Sequence, residues 1–139
     1  MARTPFVAEV LTPEGAVFND EVEMVSTMTT VGSIGILAGH EPLLARLEPT
    51  ELRLYRSETD VVRYAQAEGY VQVAESGVLL LVEEAIDPGA LDAGELRERV
   101  ATARRALEAA PEGSEEAARA TADVRRSEAF LAIASGSTH

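Results

Sequence analysis

The one imidazole inside the chain is His40, in the run Gly35-Ile36-Leu37-Ala38-Gly39-His40-Glu41-Pro42-Leu43; the other, His139, is the final residue. A histidine beside an acid such as Glu41 can act as a general base or a proton-linked switch. The same ring can instead hold an irregular loop through its hydrogen bonds. No second histidine, cysteine or serine-nucleophile motif stands nearby, which favours the loop role. The chain has no cysteine, so disulfides, thiolate catalysis and thiolate metal sites are excluded. All 12 basic residues are arginine, which excludes a P-loop lysine, a Schiff-base lysine and a lysine general base. Gly32, Gly35 and Gly39 are too widely spaced to cradle a phosphate and read as turns or bulges between strands. Glu83 and Glu84 are adjacent, and adjacent strand residues point to opposite faces, so they do not make a working carboxylate pair. Neither a catalytic site nor a metal site is expected.

Arginines group as Arg97/Arg99, Arg104/Arg105 and Arg119/Arg125/Arg126 in the last third of the chain. Such groups form either a solvated helix face or a contact to an acidic protein, because guanidinium forks onto carboxylate. Composition alone favours the solvated face. The formal net charge is -12. An acidic chain repels nucleic-acid phosphate and anionic lipid, so no nucleic-acid partner is expected. The longest apolar runs, Val78–Val82 and Ala129–Ala134, are too short to span a bilayer. No direct membrane insertion is expected; any membrane association goes through a protein partner. The stretch Met1–Leu11 lacks a secretory pattern, which predicts a cytoplasmic compartment.

The elements that must position these residues fall into two parts within 139 residues. Over residues 1–86 short apolar stretches alternate with turn signals. Thr12-Pro13-Glu14-Gly15 is a turn with proline preset at its second position. Val22, Met24 and Ser26 alternate with Glu21, Glu23 and Val25 as one half-buried strand. Leu52–Tyr55 and Val61–Tyr64 flank Ser57-Glu58-Thr59-Asp60 as a hairpin. Tyr70–Glu75 alternates, and Glu75-Ser76-Gly77 turns into Val78–Val82. Nine or ten such strands predict a β-sandwich or flattened barrel. Over residues 87–139 the period becomes helical. Asp92 with Glu95 has capping-box spacing, and Leu96, Val100, Ala103 and Leu107 form one stripe. Ala110-Pro111-Glu112-Gly113 breaks the helix and Ser114 caps the next. There Ala117, Ala120, Val124 and Leu131 form a face that Phe130 and Ile133 widen. The tail Ser135–His139 is expected to fray. An antiparallel helical hairpin with alanine-rich stripes holds itself together weakly and is free to move.

The run Val22–Ser26 followed by Gly32-Ser33-Ile34-Gly35-Ile36-Leu37-Ala38-Gly39-His40-Glu41-Pro42-Leu43 resembles the signature of the ATP synthase epsilon subunit family, Gly-x-x-Gly-Ile-Leu-Pro-Gly-His-x-Pro-Leu. Ala38 replaces the usual proline. Thr12–Gly15 looks like the family's first turn, Ala67–Val71 like its Gly-Gly-Phe segment and Val78–Leu81 like its last strand. The resemblance implies a ten-stranded β-sandwich followed by a two-helix hairpin. It implies a non-catalytic central-stalk subunit of the rotary proton-translocating ATP synthase, at the cytoplasmic face of the cell membrane. The implied partners are the gamma subunit, the c-subunit ring, and the beta and alpha subunits when the helices extend. It assigns Val31, Gly32, Ser33, Gly39, His40, Glu41 and Pro42 to the side facing the ring and gamma, at one end of the sandwich. It assigns Arg119, Arg125 and Arg126, with Arg104 and Arg105 secondary, to an inhibitory contact with beta.

Some members of that family bind ATP at an Ile-Asp-x-x-Arg-Ala motif. The corresponding run here is Leu91-Asp92-Ala93-Gly94-Glu95-Leu96; Leu91, Asp92 and, in the second helix, Arg126 match, while Glu95 and Phe130 stand where the family has cations. Losing at least two charge-assisted contacts, about 1.5–3 kcal/mol each, predicts no ATP binding and no cofactor. Calorimetric titration with Mg-ATP is expected to give no dissociation constant below about a millimolar. The alternatives are a β-sandwich enzyme using His40 and Glu41, which activity of the isolated chain would reveal, and a generic adaptor whose arginine-bearing hairpin docks another acidic protein.

Overall fold

In the computed structural model, which describes residues 3–136, ten strands precede two helices. They are β1 (Phe6–Thr12), β2 (Gly15–Val22), β3 (Met24–Thr29), β4 (Gly32–Ile36), β5 (Leu43–Leu47), β6 (Thr50–Tyr55), β7 (Val61–Gln66), β8 (Gly69–Ala74), β9 (Gly77–Val82), β10 (Ala85–Ile86), α1 (Ala93–Ala109) and α2 (Glu115–Ala134). Contacts divide the chain between Asp87 and Pro88. His139 and the other residues of the expected fraying tail beyond Gly136 lie outside the described residues.

The strands form one ladder in the order β10-β7-β6-β3-β5-β8-β9-β1-β2, with β4 on the other side of β3. Every pairing is antiparallel except β1 with β9. The ladder folds over into a nearly closed sandwich because β3 serves both layers, pairing β6 through Met24–Ser26 and β5 at Thr29. A second fold-over lies where β7 runs into β8 opposite β9 and β10. Gln66 faces Ala85 and Gly69 faces Val82 in one unbroken register. Between them Ala67 N–H donates to Glu84 C=O (2.9 Å) and Glu83 N–H to Glu68 C=O (3.1 Å). One bent hairpin therefore stitches the layers together.

Alternation fills the interior. Ala8 and Val10, Val71 and Val73, Val78, Leu80 and Val82 come from one layer; Val25, Ile36, Leu52 and Leu54 come from the other. The buried Thr27 hydroxyl donates to Gln66 Oε1 (2.6 Å), whose Nε2 donates to Glu48 C=O (2.9 Å), which satisfies the one amide in the core. Where the ladder ends, side chains seal the seam: Tyr64 OH donates to Val17 C=O (3.0 Å) and Arg56 Nε to Asp20 (3.1 Å), the guanidinium lying over Phe18. Burial pushes the Tyr64 phenol above its ordinary range, so it stays a donor.

One expectation fails in detail. Val22, Met24 and Ser26 do not share a strand face. The strand breaks at Glu23, whose N–H goes to Tyr55 C=O. Burial switches to Val25, Thr27 and Thr29, because the break shifts the period-2 alternation by one residue.

Glu51 is 5% exposed on β6. It accepts from Arg53 Nε at 2.7 Å and lies 3.8 Å from Arg63 Nε. Arg53 and Arg63 are direct cross-strand partners, and like charges so placed repel. Glu51→Gln removes the charge that holds them and is expected to cost about 1–3 kcal/mol, since the carboxylate is buried while the two arginines stay partly in water. Urea unfolding measures it; an unchanged midpoint would contradict this account.

In the helical unit Asp92 caps α1 by accepting from Glu95 N–H, and Ser114 caps α2 by accepting from Ala117 N–H. Leu96, Val100 and Ala103 are buried on α1; Ala120, Ser127, Phe130 and Ile133 are buried on α2. Of the expected α2 face Ala120, Phe130 and Ile133 are buried while Ala117, Val124 and Leu131 are half-buried, and the buried stripe also includes Ser127, whose hydroxyl is satisfied by Asp123 C=O. Ser135 and Gly136 do not fray: their N–H groups bond Leu131 and Ile133 C=O, with Gly136 at φ 77, a left-handed helix stop that glycine adopts freely.

Candidate functional site

The outer face of the layer β5-β8-β9-β1 carries apolar side chains that no core position requires. Register sets two rows across it. Leu44 faces Gln72, which faces Leu79, which faces Glu9; Arg46 faces Tyr70, which faces Leu81, which faces Leu11. Leu44 is 72% exposed, and Tyr70, Leu81 and Val7 each stand close to half-exposed. A row of large apolar groups on one sheet face marks an interaction surface rather than scattered exposure. A groove of about 410 Å³ at its edge is lined by Leu11, Pro13, Arg46, Tyr70 and Leu81, with Glu68 and Glu83 beside them. This face was not among the expected site residues. The signal was present in Val78–Val82, where both parities are apolar although one side only faces the core: a strand covered on both faces reads so.

The residues assigned to one end of the sandwich are split by the structure. Val31, 95% exposed, tips the turn between β3 and β4, and Gly32 takes φ +132 there. Gly39, His40, Glu41 and Pro42 lie beyond the other end of β4. The five residues of β4 separate the two loops by roughly 15 Å, so they stand at opposite ends of that strand. In the second loop His40 N–H donates to Leu37 C=O (3.1 Å), and Nδ1 lies 2.8 Å from Glu41 C=O. A carbonyl can only accept, so Nδ1 carries the proton and the ring ties the loop together. Glu41 and Pro42 are exposed, and the loop leads directly into β5 and its Leu44.

The hairpin arginines differ in availability. Arg104 donates to Glu128 (2.5 Å) and Arg99 lies 3.9 Å from Asp123; both reach across to α2. Arg105 donates to Thr102 on its own helix (3.2 Å). Arg104 is therefore engaged within the hairpin. Arg119, Arg105 and Arg125 are exposed and Arg126 is half-buried. Arg97, Val100, Arg104, Glu128, Leu131 and Ser135 line one groove between the helices. That places the start of α1 beside the end of α2. Asp92 lies twelve positions before Arg104 in the chain, roughly 18 Å along the axis. Leu91 and Asp92 thus sit at one end of the hairpin and Arg126 near its middle, and the Asp92 carboxylate already caps α1. The three nucleotide-motif positions are not brought together.

Among the described residues no group of three or more histidines and carboxylates is placed to hold a metal, and no helix is long and apolar enough to cross a membrane.

A family profile described as "ATP synthase, Delta/Epsilon chain, beta-sandwich domain" matches residues 6–88. The ATP synthase epsilon chain of Halalkalibacterium halodurans is 35% identical over 126 residues, covering 90% of this chain and 93% of the relative. That of Herpetosiphon aurantiacus is 32% identical over 130 residues, covering 94% of each. A chain in the solved structure of the Euglena gracilis mitochondrial ATP synthase, OSCP/F1/c-ring in rotational state 1, superposes with a TM-score of 0.77 at 20% identity, covering 92% of this chain and 80% of that one. At that identity the likeness concerns fold alone.

Proposed function

The chain belongs to the ATP synthase epsilon family, and we propose that it is the non-catalytic central-stalk subunit that links rotation of the c ring to the catalytic head. The observation that carries this reading is the apolar outer face of β5-β8-β9-β1. A subunit held permanently in a stalk needs such a face, whereas a free enzyme or a transient adaptor would leave it to water.

The face takes the gamma subunit, with the His40 loop at its margin because that loop feeds β5. The β3–β4 turn, with Val31 and Ser33, meets the c ring, since a turn tip can present side chains to a partner without disturbing the core. On this reading the chain is a peripheral component at the cytoplasmic face of the cell membrane. Purification of the complex tests the reading: the chain should come out with gamma and the ring, and its recovery alone would contradict it.

The helical hairpin supplies regulation. Extended, it sets Arg119, Arg125 and Arg126 against acidic residues of beta, with alpha alongside, and slows ATP hydrolysis. A desolvated arginine–carboxylate contact loses about 2–5 kcal/mol when one partner is truncated, an exposed one much less. Replacing all three by alanine is expected to raise hydrolysis by the assembled complex. Rates equal to those of the unmodified complex would remove these arginines from the inhibitory contact.

A further inference from the structure

We propose that β4 is a docking edge for a second copy of this chain: two β4 strands pair antiparallel about Ile34 and hold the free chain as a weak dimer. The inference concerns the chain outside any complex and does not rest on the stalk reading.

The ladder has three outermost strands, β10, β2 and β4. An open edge is a template for another chain, and charges, short length or covering side chains are the usual guards. β2 carries Asp20 and Glu21, and Tyr64 and Arg56 reach across to it. β10 has two residues and lies between Glu84 and Asp87. β4 has no such guard. No Asp, Glu, Lys or Arg occurs between Glu23 and Glu41, in a chain where 26% of residues are charged. β4 contains neither bulge nor proline, and its Ser33 and Gly35 are exposed.

Parity decides where the polar groups of β4 point. On β3, Met28 C=O accepts from Glu48 N–H, and next to it Thr30 N–H donates to Arg46 C=O. The even-numbered residues there turn their backbone groups away from β4. Val25, Thr27 and Thr29 therefore serve their partners Ile36, Ile34 and Gly32, and the N–H and C=O of Ser33 and Gly35 point out along the open edge.

Ser33 and Gly35 flank Ile34 symmetrically. Two copies related by a two-fold axis at Ile34 set Ser33 of one opposite Gly35 of the other, with backbone hydrogen bonds on both sides of the axis and no bulky side chain between the strands. The same register sets Val31 opposite Leu37. These are 95% and 44% exposed, and neither belongs to the face of Leu44, Tyr70 and Leu81. One register thus pairs the outward polar groups and covers an exposed apolar side chain at each end, which identifies the occupant as this same strand. The lack of charge also lets two chains of net charge -12 meet here without adjacent like charges. Five residues from each copy make a contact well below the roughly 1,200 Å² of a stable complex, so the dimer is weak and yields to other partners of the β3–β4 turn.

Sedimentation equilibrium of the full chain carrying Leu44→Glu and Tyr70→Glu, which silence the other apolar face, reads the edge directly. The mass is expected to rise from 14.8 kDa towards twice that value between roughly 10 µM and roughly 1 mM, the range of so small a contact. A single-chain mass throughout overturns the proposal. Adding Ser33→Glu sets two like charges a diagonal apart, about 7–8 Å, and is expected to weaken association by about tenfold or more with little change in melting temperature. Association that survives this change in a folded chain overturns the edge. The chain lacks cysteine, so the register is tested separately. When a Val31→Cys chain and a Leu37→Cys chain are mixed in equal amounts and oxidised, disulfides between unlike chains are expected to exceed those between like chains by about tenfold or more, because the like positions stand roughly 20 Å apart in the pair. Like and unlike disulfides in random proportion overturn the pairing about Ile34.

Discussion

Leu44→Glu combined with Tyr70→Glu is expected to leave the sandwich folded and to remove it from the complex. Both side chains point away from the core: the buried positions of β5 and β8 are Leu47, Val71 and Val73, of opposite parity. Exposed substitutions of this kind change stability by about 0.5 kcal/mol or less. Docking responds differently. Leu44 and Tyr70 stand in adjacent rows of one face, beside Leu79 and Leu81 across β9. Large groups at the centre of an interface cost about 2 kcal/mol or more each when truncated, and a carboxylate placed there must also be desolvated. The pair is expected to weaken gamma binding by roughly a thousand-fold or more. Thermal melting of the chain and calorimetric titration with gamma separate the two effects. Glu58→Gln, on the β6–β7 turn of the other layer, serves as the control that leaves binding unchanged. Affinity within a few-fold of the unmodified chain would move the docking surface elsewhere.

That face shows where sequence reasoning reaches its limit. Strand existence, the two helices and their caps follow from local signals: alternation around Val71 and Val73, the Ser57–Asp60 turn, the Asp92 and Ser114 carboxylate and hydroxyl. Register does not. The break at Glu23 moves the buried parity of β3 by one residue, and alternation alone cannot distinguish one long strand from two short ones out of phase. Nor does the sequence tell which loops share an end. Val31 and His40 are close along the chain, yet an extended strand between them drives their loops apart, a separation that depends on β4 pairing in full along β3. The exposed apolar face of Leu44, Tyr70 and Leu81 exists only once β5, β8 and β9 are laid side by side. Sequence held one trace of it, the two-sided apolar run Val78–Val82. In α2 the buried stripe runs through Ser127, because its hydroxyl turns back to the Asp123 carbonyl and the residue packs as a small apolar one.

Gly69→Ala is expected to be the most damaging single methyl group in the sandwich, and Gly35→Ala one of the least. A Cβ on Gly69 would stand 1.9 Å from the Leu81 carbonyl oxygen and 2.8 Å from Val82 Cα. Both are backbone atoms of β9, so no side-chain rotation relieves the clash. β9 is itself held by β1 on its far edge, and Gly69 begins β8 just after the fold-over that joins the two layers. Relief means parting β8 from β9 there. Overpacking with backbone displacement costs about 3 kcal/mol or more, against a total stability of about 5–15 kcal/mol. The melting temperature is expected to fall by roughly 12 °C or more. Gly35 on β4 has nothing within 4 Å of its Cβ position and no left-handed backbone, so alanine there trades unfolded-state entropy for no strain. It is expected to be neutral or to stabilise by up to about 1 kcal/mol. Differential scanning calorimetry of the two variants checks the contrast, and a Gly69→Ala chain melting within a few degrees of the parent would overturn it. The consequence reaches the docking face as well. The close approach at Gly69 brings Tyr70 alongside Leu81 in register, so a variant that survives by parting β8 from β9 is expected to lose gamma affinity before it loses its fold.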